Sequence, residues 1–112
     1  MISESLTKDI QDCARLRYPE EMVGCVVGEN FVELKNVAPH PCERYILSAR
    51  DKVMLFEMED SLIALVHSHP QMDNMPSELD LLAAKTCQFP FWIVGTDGVD
   101  CTEVREVLSG QT

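Results

Sequence analysis

The sequence predicts an α/β protein in which helices sandwich a single mixed β-sheet. Three observations point there. Apolar residues recur at helical spacing in three separate segments. Short β-branched or continuous apolar runs stand between those segments. The resulting order is helix, two strands, helix, strand, helix, two strands, which one sheet covered by helices accommodates.

The first helix is expected over residues 3–18, where Leu6, Ile10, Cys13 and Ala14 form one stripe flanked by Lys8, Asp9, Asp12 and Arg15. Pro19 closes it, since the residue before a proline is pushed out of the helical region. Met22 to Val27 is short, apolar and β-branched, as a buried strand is. Gly28-Glu29-Asn30 is a turn signal, and Phe31 to Val37 alternates apolar with polar residues, so the two runs should pair as a hairpin. Residues 38–44 are a proline-rich loop that leaves His40 solvated. Tyr45 to Leu47 is a candidate short strand. Ser48-x-x-Asp51 has the form of a capping box ahead of Val53, Met54, Leu55 and Met58, giving a second helix that ends near Asp60. Leu62 to Val66 reads as a central strand buried on both faces and runs into His67-Ser68-His69-Pro70. Ser77 opens a third helix with Leu79, Leu82, Ala83 and Cys87 on its inner stripe. Phe91 to Val94 is a further strand, Thr96-Asp97-Gly98 a turn, and Val99 to Val104 the expected last strand. The polar tail from Ser109 is expected to fray.

At 112 residues the chain suits one domain spanning 1–112. Its 19 acidic against 9 basic side chains give a net charge of −10, which repels nucleic-acid phosphates and anionic lipid alike. Neither nucleic acid nor membrane is therefore expected as a partner. The first residues lack the basic start and apolar run of a signal peptide. The five cysteines (Cys13, Cys25, Cys42, Cys87 and Cys101) are odd in number with no C-x-x-C pair, which suits reduced thiols and a cytoplasmic setting.

The chemistry concentrates at His67 and His69. At i and i+2 of a strand both imidazoles point to one face and can reach one metal ion. Seven residues separate His69 from Ser77, enough to fold back and lay the first turn of the next helix beside the strand end, bringing Asp80 to the histidines. Two nitrogens, one carboxylate and an open position is the donor set of a catalytic zinc. The capping box Ser77-x-x-Asp80 explains the same two residues without chemistry, and the two roles are compatible. Asp73 competes as a carboxylate but should be solvated in its loop. Cys25 and Cys42 are candidates for a thiolate fourth ligand that would hold the site latent. A hydrolytic site also needs a base. Glu20 and Glu21 stand before the first strand, which would lie beside the Leu62–Val66 strand, and composition does not choose between them.

The combined pattern is more specific than its parts. His67-Ser68-His69-Pro70, then Ser77-x-x-Asp80, with Tyr18-Pro19-Glu20-Glu21-Met22-Val23-Gly24 upstream, resembles the JAMM (MPN+) zinc metalloproteases over residues 5–104. The resemblance implies a cytidine-deaminase-like fold, zinc on His67, His69 and Asp80, and hydrolysis of a peptide or isopeptide bond by a metal-activated water. It selects Glu21 as the acid/base, three residues before the glycine, and implies that Ser77 stabilises the carbonyl oxygen as charge builds there.

Within the family, Ile63 to Pro70, Tyr45 to Ser48 and Phe89 to Val94 look like phage tail assembly proteins of the lambda K type. The cysteine-peptidase cell-wall domain that usually accompanies those proteins is absent from these 112 residues. The implied partners are a protein or peptide substrate and phage tail-tip proteins, with the bacterial cytoplasm or the virion tail as setting. Two alternatives stand beside this: a peptidase acting on a ubiquitin-like sulfur-carrier protein, and a non-catalytic tail-tip module.

Overall fold

A computed structural model of the chain describes residues 2–86 and 89–108. The elements follow the expected order: α1 (Glu4–Arg17), β1 (Val23–Val27), β2 (Asn30–Leu34), α2 (Ala49–Glu57), β3 (Leu62–Pro70), α3 (Glu78–Thr86), β4 (Phe91–Thr96) and β5 (Arg105–Val107). The strands form one sheet in the order β2-β1-β3-β4-β5. Only the β3–β4 pair is parallel, joined by the crossover through α3, so the sheet is mixed.

Helix α1 starts where the Ser3 hydroxyl accepts the Leu6 N–H at 3.1 Å, and Arg15 and Arg17 stand in its last turn, where cations favour the helix dipole. Its Ile10 and Ala14, one turn apart and fully buried, pack on the sheet face carrying Met22, Val26, Ala64, Val66, Trp92 and Val94. The opposite face packs Val23, Cys25, Leu34 and Leu62 against Leu55 of α2. There α3 sets Ala83 against Phe91 and Ile93. Helices thus lie on both faces. Ser48 caps α2 as expected, accepting the Asp51 N–H at 3.1 Å. The hairpin turns on two residues, with Gly28 in the left-handed region at φ 60°.

Four expectations need correction. First, β3 does not end at Val66: parallel pairing with β4 carries it through the histidines to Pro70. Its Ile63 is outside the core, because the register slips there and leaves Ile63 as the unpaired residue of a bulge between Leu62 and Ala64. Second, Tyr45 to Leu47 is no strand; Leu47 makes only an isolated bridge to Asn36. Third, the inner side of α3 is not the leucine stripe. Leu79 and Leu82 are 75% and 60% exposed, while Asp80, at 8%, and Ala83 turn inward. The contacts of Asp80 with β3 fix that rotation. Cys87 lies outside the described residues, as does the tail from residue 109. Fourth, the last strand begins at Arg105, not Val99. The Asp97 carboxylate accepts the Val99 and Asp100 N–H groups, which builds a turn from residues the strand would need. The chain then returns to cover Phe91 with Val107.

Candidate metal centre

β3 lies between β1 and β4, with His67 opposite Val23 and Ile93 and His69 opposite Gly95. The two-residue period of the strand sends both imidazoles to the face that α2 and α3 cover. It sends Ser68 to the other face, where it is fully buried. After Pro70 the chain turns back through Gln71, a non-glycine residue at φ 58°, and reaches α3, whose first turn presents Asp80.

His67, His69 and Asp80 are 2%, 7% and 8% exposed and converge on one point. The two Nε2 atoms are 3.2 Å apart; His67 Nε2 is 3.1 Å from Asp80 Oδ1 and His69 Nε2 is 3.0 Å from Asp80 Oδ2. Ligands bound to a tetrahedral ion at about 2.0–2.1 Å stand roughly 3.3 Å apart, so the spacing suits a small divalent cation. Proton placement supports the fit. His69 Nδ1 is 3.1 Å from the Asp73 carbonyl, which can only accept, so Nδ1 carries the hydrogen and the neutral ring offers its lone pair at Nε2. Burial opposes charge on His69, yet the hydrogen bond and charge of Asp80 outweigh it and raise the pKa of the ring. Burial likewise opposes charge on Asp80, but hydrogen bonds from His67 and His69 hold its carboxyl well below the usual range. The group could therefore hold a metal ion.

Glu21 precedes β1 and is half-buried, whereas Glu20 is exposed. Burial lifts the Glu21 pKa from 4.5 to about 7; the charge of His69 pulls it down and that of Asp80 pushes it up, so Glu21 lies within electrostatic reach of the group. A groove of about 390 Å³ opens beside it, lined in part by Arg17, Glu33, Lys35 and Asn36. Ser77 and Asp80 form the reciprocal capping box: the Ser77 hydroxyl accepts the Asp80 N–H at 3.1 Å and Asp80 Oδ2 accepts the Ser77 N–H at 2.9 Å. Because Ser77 Oγ accepts in that bond, its own hydrogen is left to donate. Asp73 and His40 are exposed, as expected. Among the described residues no cysteine joins the ligand group. Cys25 packs in the apolar core, and burial pushes the Cys13 thiol up to about 12.

Two residues of the site went unread in the sequence. The Ser68 hydroxyl accepts the Met22 N–H at 2.8 Å while the Ser68 N–H reaches the Met22 carbonyl at 2.9 Å, tying the residue after Glu21 to the strand of the histidines. The Tyr45 ring lies against His67 with centroids 5.0 Å apart. The i+1 position between the histidines was the available signal for the first. Nothing local signalled the second.

The fold and the site together define an α/β protein with a buried His₂Asp group at the junction of a central strand and the helix that follows it. The chain belongs to the family described as prokaryotic homologs of the JAB domain, which matches residues 3–107. It is 38% identical over 89 residues to a probable TtuB-protein conjugate cleaving protease of Thermus thermophilus, covering 72% of this chain and 60% of that protein. It is 34% identical over 85 residues to tail tip assembly protein K of Escherichia phage N15, covering 72% of this chain and 35% of that one. The chain thus spans less than two thirds of the first of these relatives and about a third of the second. In fold it is similar to the solution structure of protein DSY2949 from Desulfitobacterium hafniense, with a TM-score of 0.67 and 18% identity over 95% of this chain and 88% of that one. A solution structure from Salinibacter ruber matches with a TM-score of 0.55 and 21% identity over 98% and 90%.

Proposed function

We propose that this chain is a zinc-dependent peptidase or isopeptidase, with zinc held by His67, His69 and Asp80. The observation that carries the reading is the buried His₂Asp group with a half-buried carboxylate, Glu21, within electrostatic reach of it. A purely structural ion needs no such neighbour. Zinc bound there supplies Lewis acidity and a water acidic enough to react near neutral pH.

The chain's own residues do the rest. Glu21 accepts a proton at its carboxylate and delivers it to the departing amine. The Ser77 hydroxyl donates to the scissile carbonyl oxygen as negative charge develops. Asp73 keeps His69 oriented through its carbonyl. The groove beside Glu21 gives a substrate chain access to the base. The substrate is a protein or peptide, and the relatives suggest two settings: cleavage of a protein conjugate, or processing during assembly of a phage tail tip.

Elemental analysis of the purified protein tests the metal. About one zinc per chain is expected, lost in His69→Ala. Cleavage is then followed on a pair of quenched fluorogenic peptides that differ only in an α- or ε-linkage at lysine, with Glu21→Gln as control. No zinc uptake by the wild type overturns the reading, as does a zinc-loaded Glu21→Gln that cleaves at the wild-type rate.

A further inference from the structure

Glu21 stands two residues before the regular ladder of β1, so the sheet does not fix its backbone. Both of its main-chain polar groups are nevertheless held. Its N–H donates to the Pro41 carbonyl at 2.8 Å, and its carbonyl accepts the Asn36 side-chain amide at 3.0 Å. Asn36 Nδ2 also reaches the carbonyls of Arg44 at 3.1 Å and Pro41 at 3.3 Å. Its Oδ1 accepts the N–H groups of Ala38 at 3.0 Å and Ile46 at 3.2 Å. One half-buried side chain thus spends its whole hydrogen-bonding capacity, two donor hydrogens and two lone pairs, on five main-chain groups.

Four of the five belong to the loop 38–46, and the fifth is the carbonyl of Glu21. That loop has little regular structure of its own: a bridge between Asn36 and Leu47 and the Val37 N–H to Ile46 carbonyl bond close its base. Asn36 therefore shapes the loop from within, and the loop in turn presents the Pro41 carbonyl to the Glu21 N–H. On the other side, Ser68 holds Met22 to the strand of the histidines. The segment 21–22 is suspended between two anchors. One is built into the candidate metal strand, and the other is Asn36.

We propose that Asn36 is a positioning residue for the reaction, setting the place of the Glu21 carboxylate through the main chain. The inference rests on reading Glu21 as the base. No other side chain of this size offers the same set of bonds. Aspartate would turn an oxygen toward three carbonyls, and serine spans too little. A displacement of about 1 Å at a catalytic group costs on the order of a hundredfold in rate while leaving substrate affinity nearly intact.

The test uses zinc-loaded wild type, Asn36→Asp, Asn36→Ser, Glu21→Gln and the double variant Asn36→Ser/Glu21→Gln. Amide hydrogen exchange is read at Glu21, with Met22 as internal reference, and kcat and KM are read on the cleaved member of the fluorogenic pair. In both Asn36 variants exchange at Glu21 is expected to quicken at least about tenfold relative to Met22. The kcat should fall about 30- to 100-fold with KM moving less than about threefold, and the double variant should be no slower than Glu21→Gln alone. Should Asn36→Asp not fold, Asn36→Ser decides, since it retains one donor and one acceptor.

Unchanged exchange at Glu21 overturns the inference, as does a retained kcat despite faster exchange, or additive losses in the double variant. Glu21→Gln with wild-type cleavage removes the reading of Glu21 and the inference with it. Loss of cleavage in Glu21→Gln with full kcat in both Asn36 variants overturns the inference alone.

Discussion

Gly95 faces His69 across the parallel β3–β4 register, and the chain leaving β3 passes directly over it. A Cβ at position 95 would overlap the Met72 carbonyl oxygen and lie 2.8 Å from the Asp73 carbonyl carbon and 2.9 Å from the Asp73 Cα. Carbon atoms in ordinary contact stand about 3.5–4.0 Å apart, so in Gly95→Ala the segment 72–73 must retreat by roughly 0.7 Å or more. His69 Nδ1 reaches the Asp73 carbonyl at 3.1 Å. Adding that retreat takes the pair to about 3.8 Å, beyond hydrogen bonding. Losing the outer partner of a ligating histidine costs about 10- to 100-fold in metal affinity, or roughly 1.4–2.8 kcal/mol. Glycine to alanine at a compatible site would instead stabilise a protein by about 0.4–1 kcal/mol, so the expected sign is the reverse of the generic one. Zinc affinity measured by competition with a chromophoric chelator should show that weakening in Gly95→Ala. Asp73→Asn should bind as the wild type does, because its contribution is a main-chain carbonyl and its side chain is exposed. Wild-type affinity in Gly95→Ala, or an equal loss in Asp73→Asn, would refute the reasoning.

Ser68→Ala leaves the buried Met22 N–H without its acceptor at 2.8 Å and should cost about 1–3 kcal/mol in urea unfolding; a loss under about 0.5 kcal/mol would show that the strand relaxes to satisfy it. In the metal-free protein, burial raises the Glu21 pKa from 4.5 to about 7, so the native state binds that proton more tightly than the unfolded chain. Ionising Glu21 therefore costs stability progressively from about pH 4.5 to 7. Glu21→Gln should melt higher than the wild type at about pH 8 but not at about pH 4, and a gain independent of pH would contradict the burial. Ser77→Ala removes the hydroxyl that accepts the Asp80 N–H and should cost about 1 kcal/mol of stability together with cleavage. Ser77→Asp restores the cap without restoring a donor. If it also restored cleavage, Ser77 would have no role beyond capping.

The parts of the structure legible in the sequence were those written in local pattern. The cap Ser48, the Ile10–Ala14 stripe, the hairpin at Gly28 and the shared face of His67 and His69 all follow from spacing and residue type. The misreadings came where a tertiary contact overrode the local signal. Leu79 and Leu82 suit an inner stripe by spacing, but the tie from Asp80 to the histidines rotates α3 and leaves both leucines exposed. Val99 to Val104 suits a strand by composition, but the Asp97 carboxylate captures two of its first N–H groups. Ser68 and Asn36 were silent because their partners, Met22 and the carbonyls of Glu21, Pro41 and Arg44, are main-chain groups that carry no signature in residue identity.

The geometry also joins metal binding to protonation. The Asp73 carbonyl cannot donate to His69 Nδ1, and the Asp80 carboxylate cannot donate to His69 Nε2. Without a cation, satisfying both contacts requires a proton on each nitrogen, and Asp80 supplies the charge that raises the pKa of the ring against the opposition of burial. Because that pKa is raised above its unfolded value, the contribution of the His69–Asp80 pair to stability is complete at low pH and is lost as pH rises through the folded value. Over the same rise Nε2 becomes a free lone pair beside a carboxylate, and a cation entering there releases fewer protons and binds more tightly. The two cross-links are complementary. At low pH a proton ties the strand of the histidines to the first turn of α3, and at higher pH the same three side chains could hold a metal ion in its place.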